Sequence, residues 1–356
     1  MTVDLLPPGA PAWDALLLRA EHDFYHLPAY VAASARREGG EPRAIHVEDG
    51  ERRLLLPVIV RPVADGLRDA TSPYGYSGPV VDGGDDAFTR EAFLAAEERL
   101  ARDRIVTLFV RGHPLVGPSL PPEAGTVVDH GPTVSIDLRR PAEDLWKQTR
   151  STYRHDIARA LRAGHRAFLD ERFEHLSTFV SIYRATMERV AAAPYYLFTE
   201  PYFAELRQAL GERLHLWVVA IRGEIAAGGL FVETCGLVQY HLSGTDARFV
   251  REGPTKLMLH FVRAWARERG DRYLHLGGGV GGAEDSLFAF KAGFSPERHR
   301  FQTLRVVADE PAYRALVHAR DPARDPADRR GFFPLYRSPS RATGPRPADP
   351  EEGRTA

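Results

Sequence analysis

The chain has 356 residues, of which 44% are apolar, and a formal net charge of −1. This length and apolar content predict two packed cores and exclude an intrinsically disordered chain. The near-zero charge excludes a protein that coats nucleic acid through general positive charge, and we expect no DNA partner. No segment approaches the twenty or so apolar residues that a membrane helix requires, so we expect a cytoplasmic protein without a membrane span.

In chain order, the first half predicts helices at 12–20 and 28–38, a hairpin of strands 43–47 and 53–60, an extended segment at 71–81, a helix at 86–103 and a strand at 105–110. The second half follows a helix at 141–163 and predicts helices at 174–191 and 200–210, a hairpin of strands 214–221 and 225–232, a strand at 235–243, a helix at 255–269, a strand at 272–276, a short helix at 284–291 and a final strand at 300–308. The two halves repeat one order of elements. The sequence therefore predicts an α/β fold with two copies of one unit.

The domain boundaries follow from this repetition. We predict a first domain at 1–140 and a second at 141–320, which the strand at 300–308 closes. The remaining segment, 321–356, is rich in Pro, Arg, Asp and Gly and is predicted to be largely disordered. Its apolar cluster at 332–336 is expected to make a local hydrophobic contact, with docking on the body as the alternative.

The cysteine and histidine pattern does not indicate a redox or metal centre. Cys235 is the single cysteine, so neither an internal disulfide nor a thiolate zinc site can form. Its apolar neighbours favour a packing role. The histidines show no metal-ligand spacing, and no Ser-His-Asp or paired-carboxylate pattern stands out. We expect no metal and no resident cofactor.

Positive charge is concentrated in one stretch, 139–172, which holds nine Lys or Arg against five acidic residues. Such an excess can contact phosphate groups, or it can be the solvated face of a helix. The sequence leaves both interpretations open.

Two glycine-containing segments are candidates for ligand contact. In 252–258, Gly253 precedes a predicted helix that carries Thr255 and Lys256, and a helix N-terminus suits an anion. Pro254 removes one donor there, and an ordinary helix start remains the alternative. Segment 277–282 has five glycines in six residues directly after a strand. Through Gly278 and Gly279 it can let backbone approach a substrate, or it can be a flexible connector.

The remaining candidates are polar side chains beside glycine or aromatic residues. Lys291 lies among three phenylalanines, where partial desolvation lowers its pKa or favours an anionic partner such as a developing oxyanion. Two extended segments, 72–79 and 239–246, carry groups that can supply hydrogen bonds or a base to a substrate: Tyr74, Tyr76, Tyr240, His241, Ser243 and Asp246. For each of them, a structural group with satisfied hydrogen bonds is the alternative. Because side chains alternate along a strand, Tyr240 and His241 cannot both point into one cleft.

Several motifs occur together in the chain: SPYGYSGP, TRSTYRHDIARALRAG, YHLSGTD, EGPTKLM, and LHLGGG followed by SLFAFKAGFSP. The combination of these motifs resembles the Fem-like branch of the acyltransferases. The resemblance spans roughly residues 20–308. It implies two tandem GNAT-like acyltransferase domains and transfer from aminoacyl-tRNA to an amine of a peptidoglycan precursor or natural product, without metal or coenzyme A. No heptad-rich insertion is present, so the coiled-coil arm of some family members is not expected.

The resemblance also implies residue roles. Lys291 would stabilise the oxyanion, Arg154 would hold an acidic acceptor or a phosphate, and Tyr74 would line the cleft. An alternative keeps the fold and uses acyl-CoA as donor, with its pyrophosphate at 252–256. A non-catalytic binding module is the remaining alternative.

Overall fold

The computed structural model describes residues 1–339 and confirms a mixed α/β fold. Its strands are β1 (Thr2–Leu6), β2 (Glu41–Asp49), β3 (Arg52–Pro62), β4 (Arg68–Thr71), β5 (Val80–Asp82), β6 (Ile105–Arg111), β7 (Thr126–Asp129), β8 (Thr133–Asp137), β9 (Arg166–Leu169), β10 (Leu214–Ile221), β11 (Glu224–Thr234), β12 (Leu237–Thr245), β13 (Tyr273–Gly277), β14 (Arg298–His299) and β15 (Gln302–Val307). Its α-helices are α1 (Pro11–Leu17), α2 (Pro28–Glu38), α3 (Asp86–Arg102), α4 (Ala142–Gln148), α5 (Ser151–Arg162), α6 (Leu176–Arg189), α7 (Glu200–Leu210), α8 (Pro254–Glu268), α9 (Ser286–Lys291) and α10 (Glu310–Arg320).

The strands form two sheets. The first has the order β1-β2-β3-β4-β6-β15-β7, with β5 beside β3, and the second has the order β14-β8-β13-β12-β11-β10-β9. Each sheet contains an antiparallel hairpin, β2–β3 or β10–β11, and a parallel pair, β4–β6 or β12–β13. A parallel pair needs a crossover connection, which α3 and α8 provide. The repeated element order that the sequence predicts is therefore present.

The two sheets exchange strands, which the predicted boundaries at 140 and 320 do not anticipate. Strand β8 precedes residue 140, yet it pairs with β13 in the second sheet. The predicted final strand at 300–308 was expected to close the second domain, and this expectation is wrong, because β15 pairs with β6 and β7 in the first sheet. An apolar strand carries no local signal for its partner, since any free sheet edge of matching register offers the same hydrogen bonds.

The cluster at 332–336 docks on the body, which corrects the local hydrophobic contact that the sequence favoured. Phe333, Leu335 and Tyr336 are buried against Tyr313 of α10 and Val106 of β6. Arg337 follows this cluster and forms an ion pair with the fully buried Asp69. The tail is therefore ordered at this cluster, in contrast to the largely disordered segment predicted at 321–356. The rest of that segment, 340–356, lies outside the described residues.

The two halves meet on one face of the second sheet. Amphipathic α8 and α5 cover the opposite face, where Ile157 and Met258 join its core. On the facing side, Phe24 and Tyr30 from the first half pack with Phe179 of α6 and strands β10–β12. Among residues 1–339, no helix is long and apolar enough to cross a membrane.

Candidate active site

The candidate cleft is the region where β12 and β13 separate. The two strands pair only as far as Gln239 and His275, after which β12 continues to Thr245 and β13 ends at Gly277. Ligands of α/β proteins bind at such carboxyl ends of diverging parallel strands. The structure therefore places the C-terminal end of β13, and the glycine-rich loop after it, at the centre of the candidate site.

Lys291 points to this strand end. It closes α9, whose N-terminus is capped by the Asp285 side chain through the Phe288 N–H. Only 9% of Lys291 is exposed, and its Nζ donates to the Gly278 carbonyl oxygen at 2.7 Å. Burial lowers the pKa of Lys291 to about 8, against the opposing attraction of Asp285. A partly desolvated ammonium at a substrate cleft suits stabilisation of a developing negative charge.

Tyr76 reaches the same point from the first half of the chain. A Cβ added to Gly277 would lie 3.3 Å from Tyr76 Oη and 3.4 Å from Lys291 Nζ, so both polar atoms converge on this glycine. Gly277 has a φ of 76°, which favours glycine and leaves the space open. Burial raises the pKa of Tyr76 to about 12, which keeps its hydroxyl protonated as a hydrogen-bond donor.

An aromatic wall extends from Tyr76 along the junction. The Tyr30 hydroxyl donates to the Tyr74 carbonyl oxygen at 2.8 Å, and the Tyr74 ring lies 6.2 Å from that of His241. Burial lowers the pKa of His241 to about 4, so the imidazole is neutral, and its Nε2 has no hydrogen-bond partner among the described residues. The structure thus brings Tyr74, Tyr76, His241, Gly278 and Lys291 together at one cleft.

Two of the predicted site residues lie elsewhere. Tyr240 stacks on Phe231 in the core of the second sheet, at a centroid distance of 5.2 Å, which confirms that it and His241 face opposite sides. Asp246 caps the short helix that follows β12 and pairs with Arg248, so its carboxylate is already occupied. Neither residue contributes to the cleft.

Several groups that could bind an anion at the N-terminus of α8 are already bonded within the protein. Lys256 Nζ is bound to Asp156 of α5 at 2.6 Å, and the Lys256 N–H donates to the Gly253 carbonyl oxygen. The Gly253 N–H donates to the Val250 carbonyl oxygen. The hydroxyl groups of Thr255 and Thr245 form a hydrogen bond with each other at 3.0 Å. Here the structure favours an ordinary helix start, the alternative that the sequence left open.

The remaining predicted contacts differ in their surroundings. Arg154 lies on α5 and donates to the Lys147 carbonyl oxygen at 3.2 Å, on the basic stretch and without a contact to the cleft residues. A side chain at Gly279 would meet the Ala283 carbonyl oxygen at 2.0 Å, so this glycine serves the packing of the loop itself. Within residues 1–339, no group of three or more His, Cys, Asp or Glu side chains could hold a metal ion.

The sequence analysis missed a buried polar network beneath Tyr76. Asp23 is fully buried and accepts hydrogen bonds from His113 Nε2 at 2.9 Å and from the Gln239 side-chain amide. Gln239 in turn bonds His275 Nδ1 at 2.7 Å. Asp23 and Gln239 are 216 residues apart in the chain, so no local motif could have indicated the network.

Comparison with known proteins agrees with this architecture. Residues 147–292 match a family model described as an acetyltransferase (GNAT) domain. The solved structure of FemX is 15% identical and has a TM-score of 0.62, with 88% of this chain and 99% of that chain covered. L-PGS from Bacillus licheniformis is 12% identical, with a TM-score of 0.53 and coverage of 87% and 94%. No curated protein matches the sequence.

A third structure is the C-terminal domain of a putative lysylphosphatidylglycerol synthetase from Agrobacterium fabrum, 15% identical, with a TM-score of 0.50 and coverage of 77% and 87%. At these identities the structural likeness concerns the fold. The predicted resemblance to the Fem-like tandem GNAT proteins is thereby confirmed. The match of residues 147–292 to a GNAT acetyltransferase domain supports an acyltransferase enzyme.

Proposed function

We propose that this acyltransferase transfers an aminoacyl group from aminoacyl-tRNA to an amine and forms an amide. The observation that carries the proposal is the contrast between two sites. A buried lysine lies at the end of β13 beside the Gly278 carbonyl, whereas the helix start at which acyl-CoA pyrophosphate would bind has its lysine and the Gly253 and Lys256 N–H groups occupied. The name of the Agrobacterium fabrum protein, which denotes a lysylated product, agrees with aminoacyl transfer.

The chemistry needs a neutral amine, an ester carbonyl and a stabilised oxyanion. The amine nitrogen attacks the carbonyl carbon, and the C–N bond forms while the carbonyl oxygen gains negative charge. The Lys291 ammonium and the Tyr76 hydroxyl converge on Gly277, where they can donate to that oxygen. The ester C–O bond then breaks, and the amine proton passes to the leaving oxygen.

The donor tRNA is proposed to contact the basic stretch. Several of its arginines have no carboxylate partner within the part of the chain described: Arg150, Arg154, Arg162 and Arg166. Unpaired guanidinium groups on one helix and the strand that follows it suit the phosphates of a nucleic acid. This geometry supports the phosphate role proposed for Arg154. We propose a cytoplasmic location because charged tRNA is found there.

The acceptor is proposed to be the amine of a peptidoglycan precursor or of a natural product. Tyr74 and His241 would line its binding site, since they form the aromatic wall that continues from Tyr76. Aromatic walls of this kind provide apolar contact area with a few polar atoms that fix orientation.

A mass-spectrometric transfer assay tests the proposal. The purified protein is incubated with charged tRNAs or acyl-CoAs and with a panel of cell-wall precursors and small amines. A product that disappears when RNase is added supports the tRNA donor. A product that needs only acyl-CoA contradicts it.

The GNAT domain match favours acyl-CoA as a second candidate donor. The variant Lys256→Ala distinguishes the two donors, because it removes the cationic side chain of the 252–256 loop and leaves Lys291 unchanged. With a tRNA donor we expect the transfer rate to stay within about threefold of the native enzyme, since the lysine is committed to Asp156. A pyrophosphate contact predicts a rise of about tenfold or more in KM for acyl-CoA.

A further inference from the structure

The buried network beneath Tyr76 fixes the protonation state of each of its members. The Asp23 carboxylate accepts the Phe24 N–H at 2.6 Å and the side-chain N–H groups of His113 and Gln239. His113 Nδ1 already accepts two backbone N–H groups, at 3.0 and 3.1 Å. The proton of this neutral imidazole is therefore on Nε2, where it donates to Asp23.

The same reasoning continues to His275. A carboxylate can only accept, so the Gln239 NH2 group faces Asp23 and its Oε1 faces His275 Nδ1. Because Oε1 can also only accept, Nδ1 must carry the proton of the His275 ring. Gln239 and His275 are direct partners in the register of β12 and β13, which holds the two side chains side by side. His275 is thus left with a bare lone pair on Nε2.

That lone pair has no partner. His275 is fully buried, and no atom of residues 1–339 makes a hydrogen bond to its Nε2. A buried acceptor without a partner costs about 1–3 kcal/mol, and such atoms in folded proteins call for a water, a ligand or a catalytic use. The fold therefore keeps an unsatisfied acceptor at a defined position.

The position of His275 connects this acceptor with the candidate site. The Tyr76 ring packs on the His275 ring at a centroid distance of 5.1 Å. Burial lowers the pKa of His275, and the nearby His113, His299 and Lys291 act in the same direction. Gly277, on which Tyr76 Oη and Lys291 Nζ converge, is two residues further along β13. The two donors for an oxyanion and the bare acceptor thus lie at one strand end.

We propose that His275 is a catalytic residue whose Nε2 accepts a hydrogen bond from the attacking amine, and that Asp23 and Gln239 are positioning residues that fix its lone pair. The inference rests on the proposed amide-forming reaction. One N–H of the amine bonds Nε2, which turns the nitrogen lone pair toward the carbonyl carbon. The amine proton still leaves with the ester oxygen, so His275 need not be protonated. The Tyr76 ring packs edge-to-face on the His275 ring and is itself partly exposed, and we expect it to move when the amine enters.

The tautomer is the first test, and it needs no substrate. Two-bond 1H–15N correlation spectra of the labelled protein, with His275 assigned by comparison with His275→Asn, should show the Nδ1–H tautomer. Addition of glycinamide, a simple amine probe, should shift the Nε2 resonance. An Nε2–H tautomer overturns the proposal. So does an Nε2 resonance that glycinamide leaves unchanged, because the acceptor then holds a buried water only.

Kinetics test the catalytic and positioning roles. His275→Asn keeps a donor toward Gln239 but lacks the Nε2 acceptor, and we expect kcat to fall about 100-fold with little change in KM for the donor. Asp23→Asn frees the Gln239 amide to turn over, so the His275 tautomers should mix and kcat should fall with the Nδ1–H fraction. A His275→Asn rate within about threefold of the native rate overturns the proposal. If the native enzyme transfers no aminoacyl group, the proposed function fails, while the spectra still decide the role of Nε2.

Discussion

Burial of Lys291 lowers the stability of the fold and at the same time suits the residue to its proposed role in transfer. Its side chain is buried, and its ammonium donates to the backbone carbonyl of Gly278. The pKa falls from 10.5 to about 8, which corresponds to a cost of about 3 kcal/mol for keeping the charged form buried. Since the folded pKa is the lower one, this cost is full below pH 8 and is relieved as pH rises toward 10.5. A fold retains such a group where function requires it.

Lys291→Met should therefore separate activity from stability. We expect the transfer rate to fall by about 10²–10³, because the oxyanion loses its cationic donor. We expect the free energy of unfolding at neutral pH to rise by about 1–3 kcal/mol, since a buried charge is replaced by an apolar chain of similar length. Steady-state kinetics and urea unfolding measure the two. Arg213→Met, which removes an exposed positive charge outside the basic stretch, is the matched control. A Lys291→Met enzyme with a nearly native rate would exclude the oxyanion role.

The same pKa predicts a pH dependence. Lys291 supports transfer in its protonated form, so we expect kcat/KM to decline as pH rises through about 8. Arginine remains charged over this range. In Lys291→Arg the alkaline decline should be absent, even if the rate is lower at every pH. A decline that persists unchanged in this variant would have to come from another group.

At the scale of elements, α5 is an amphipathic helix with two different surfaces. Tyr153 and Ile157 face the core, Asp156 holds Lys256 of α8, and the outer face carries arginines. Helical periodicity predicts this division, but it does not reveal that Asp156 occupies the lysine of the neighbouring helix. This part of the basic stretch therefore joins α5 to α8 through an ion pair and also presents an exposed positive surface.

The outer face should contribute to donor binding. We expect Arg162→Glu together with Arg166→Glu to lower kcat/KM for charged tRNA by about tenfold or more, with a weaker dependence on salt concentration than the native enzyme. Filter binding and kinetics at several salt concentrations measure this. Arg184→Glu together with Arg213→Glu, on two exposed arginines outside the basic stretch, serves as the matched control. Equal effects of all charge reversals would indicate general electrostatics rather than a defined surface.

At the scale of the whole molecule, the segments that follow the second sheet return to the first sheet and pack on it. Strand β15 and helix α10 pass back from the second unit, and the cluster at 333–336 covers them. The fully buried Asp69 carboxylate forms ion pairs with Arg61, at 2.9 Å from its Nε, and with Arg337. The last described residues are thus part of the first core.

Deletion of residues 332–356 should destabilise the protein by several kcal/mol. It exposes the surface under Phe333, Leu335 and Tyr336 and removes one cationic partner of a buried carboxylate. Thermal and urea unfolding of the truncated chain measure the loss. Deletion of 340–356 alone removes none of these contacts and should leave the stability within about 0.5 kcal/mol of the native value. Equal stability of both truncated chains would contradict the structural role of the cluster.

The sequence by itself determined the local elements and much of the candidate site. Alternation and turn residues predict both hairpins, and glycine before or after apolar runs predicts the helix ends. The motifs around Tyr74, Tyr76 and Lys291 point to residues that the structure brings together. These features depend on neighbours within a few residues, so composition and spacing are sufficient to find them.

Only the tertiary structure decided which strands pair, which helix start is free and which buried atoms lack partners. Strands β8 and β15 exchange sheets because pairing depends on the available edge, not on their own residues. Lys256 is occupied by a carboxylate 100 positions away in the chain. The Asp23–Gln239–His275 network joins residues from both halves, and the state of each group is set by contacts that no stretch of sequence contains.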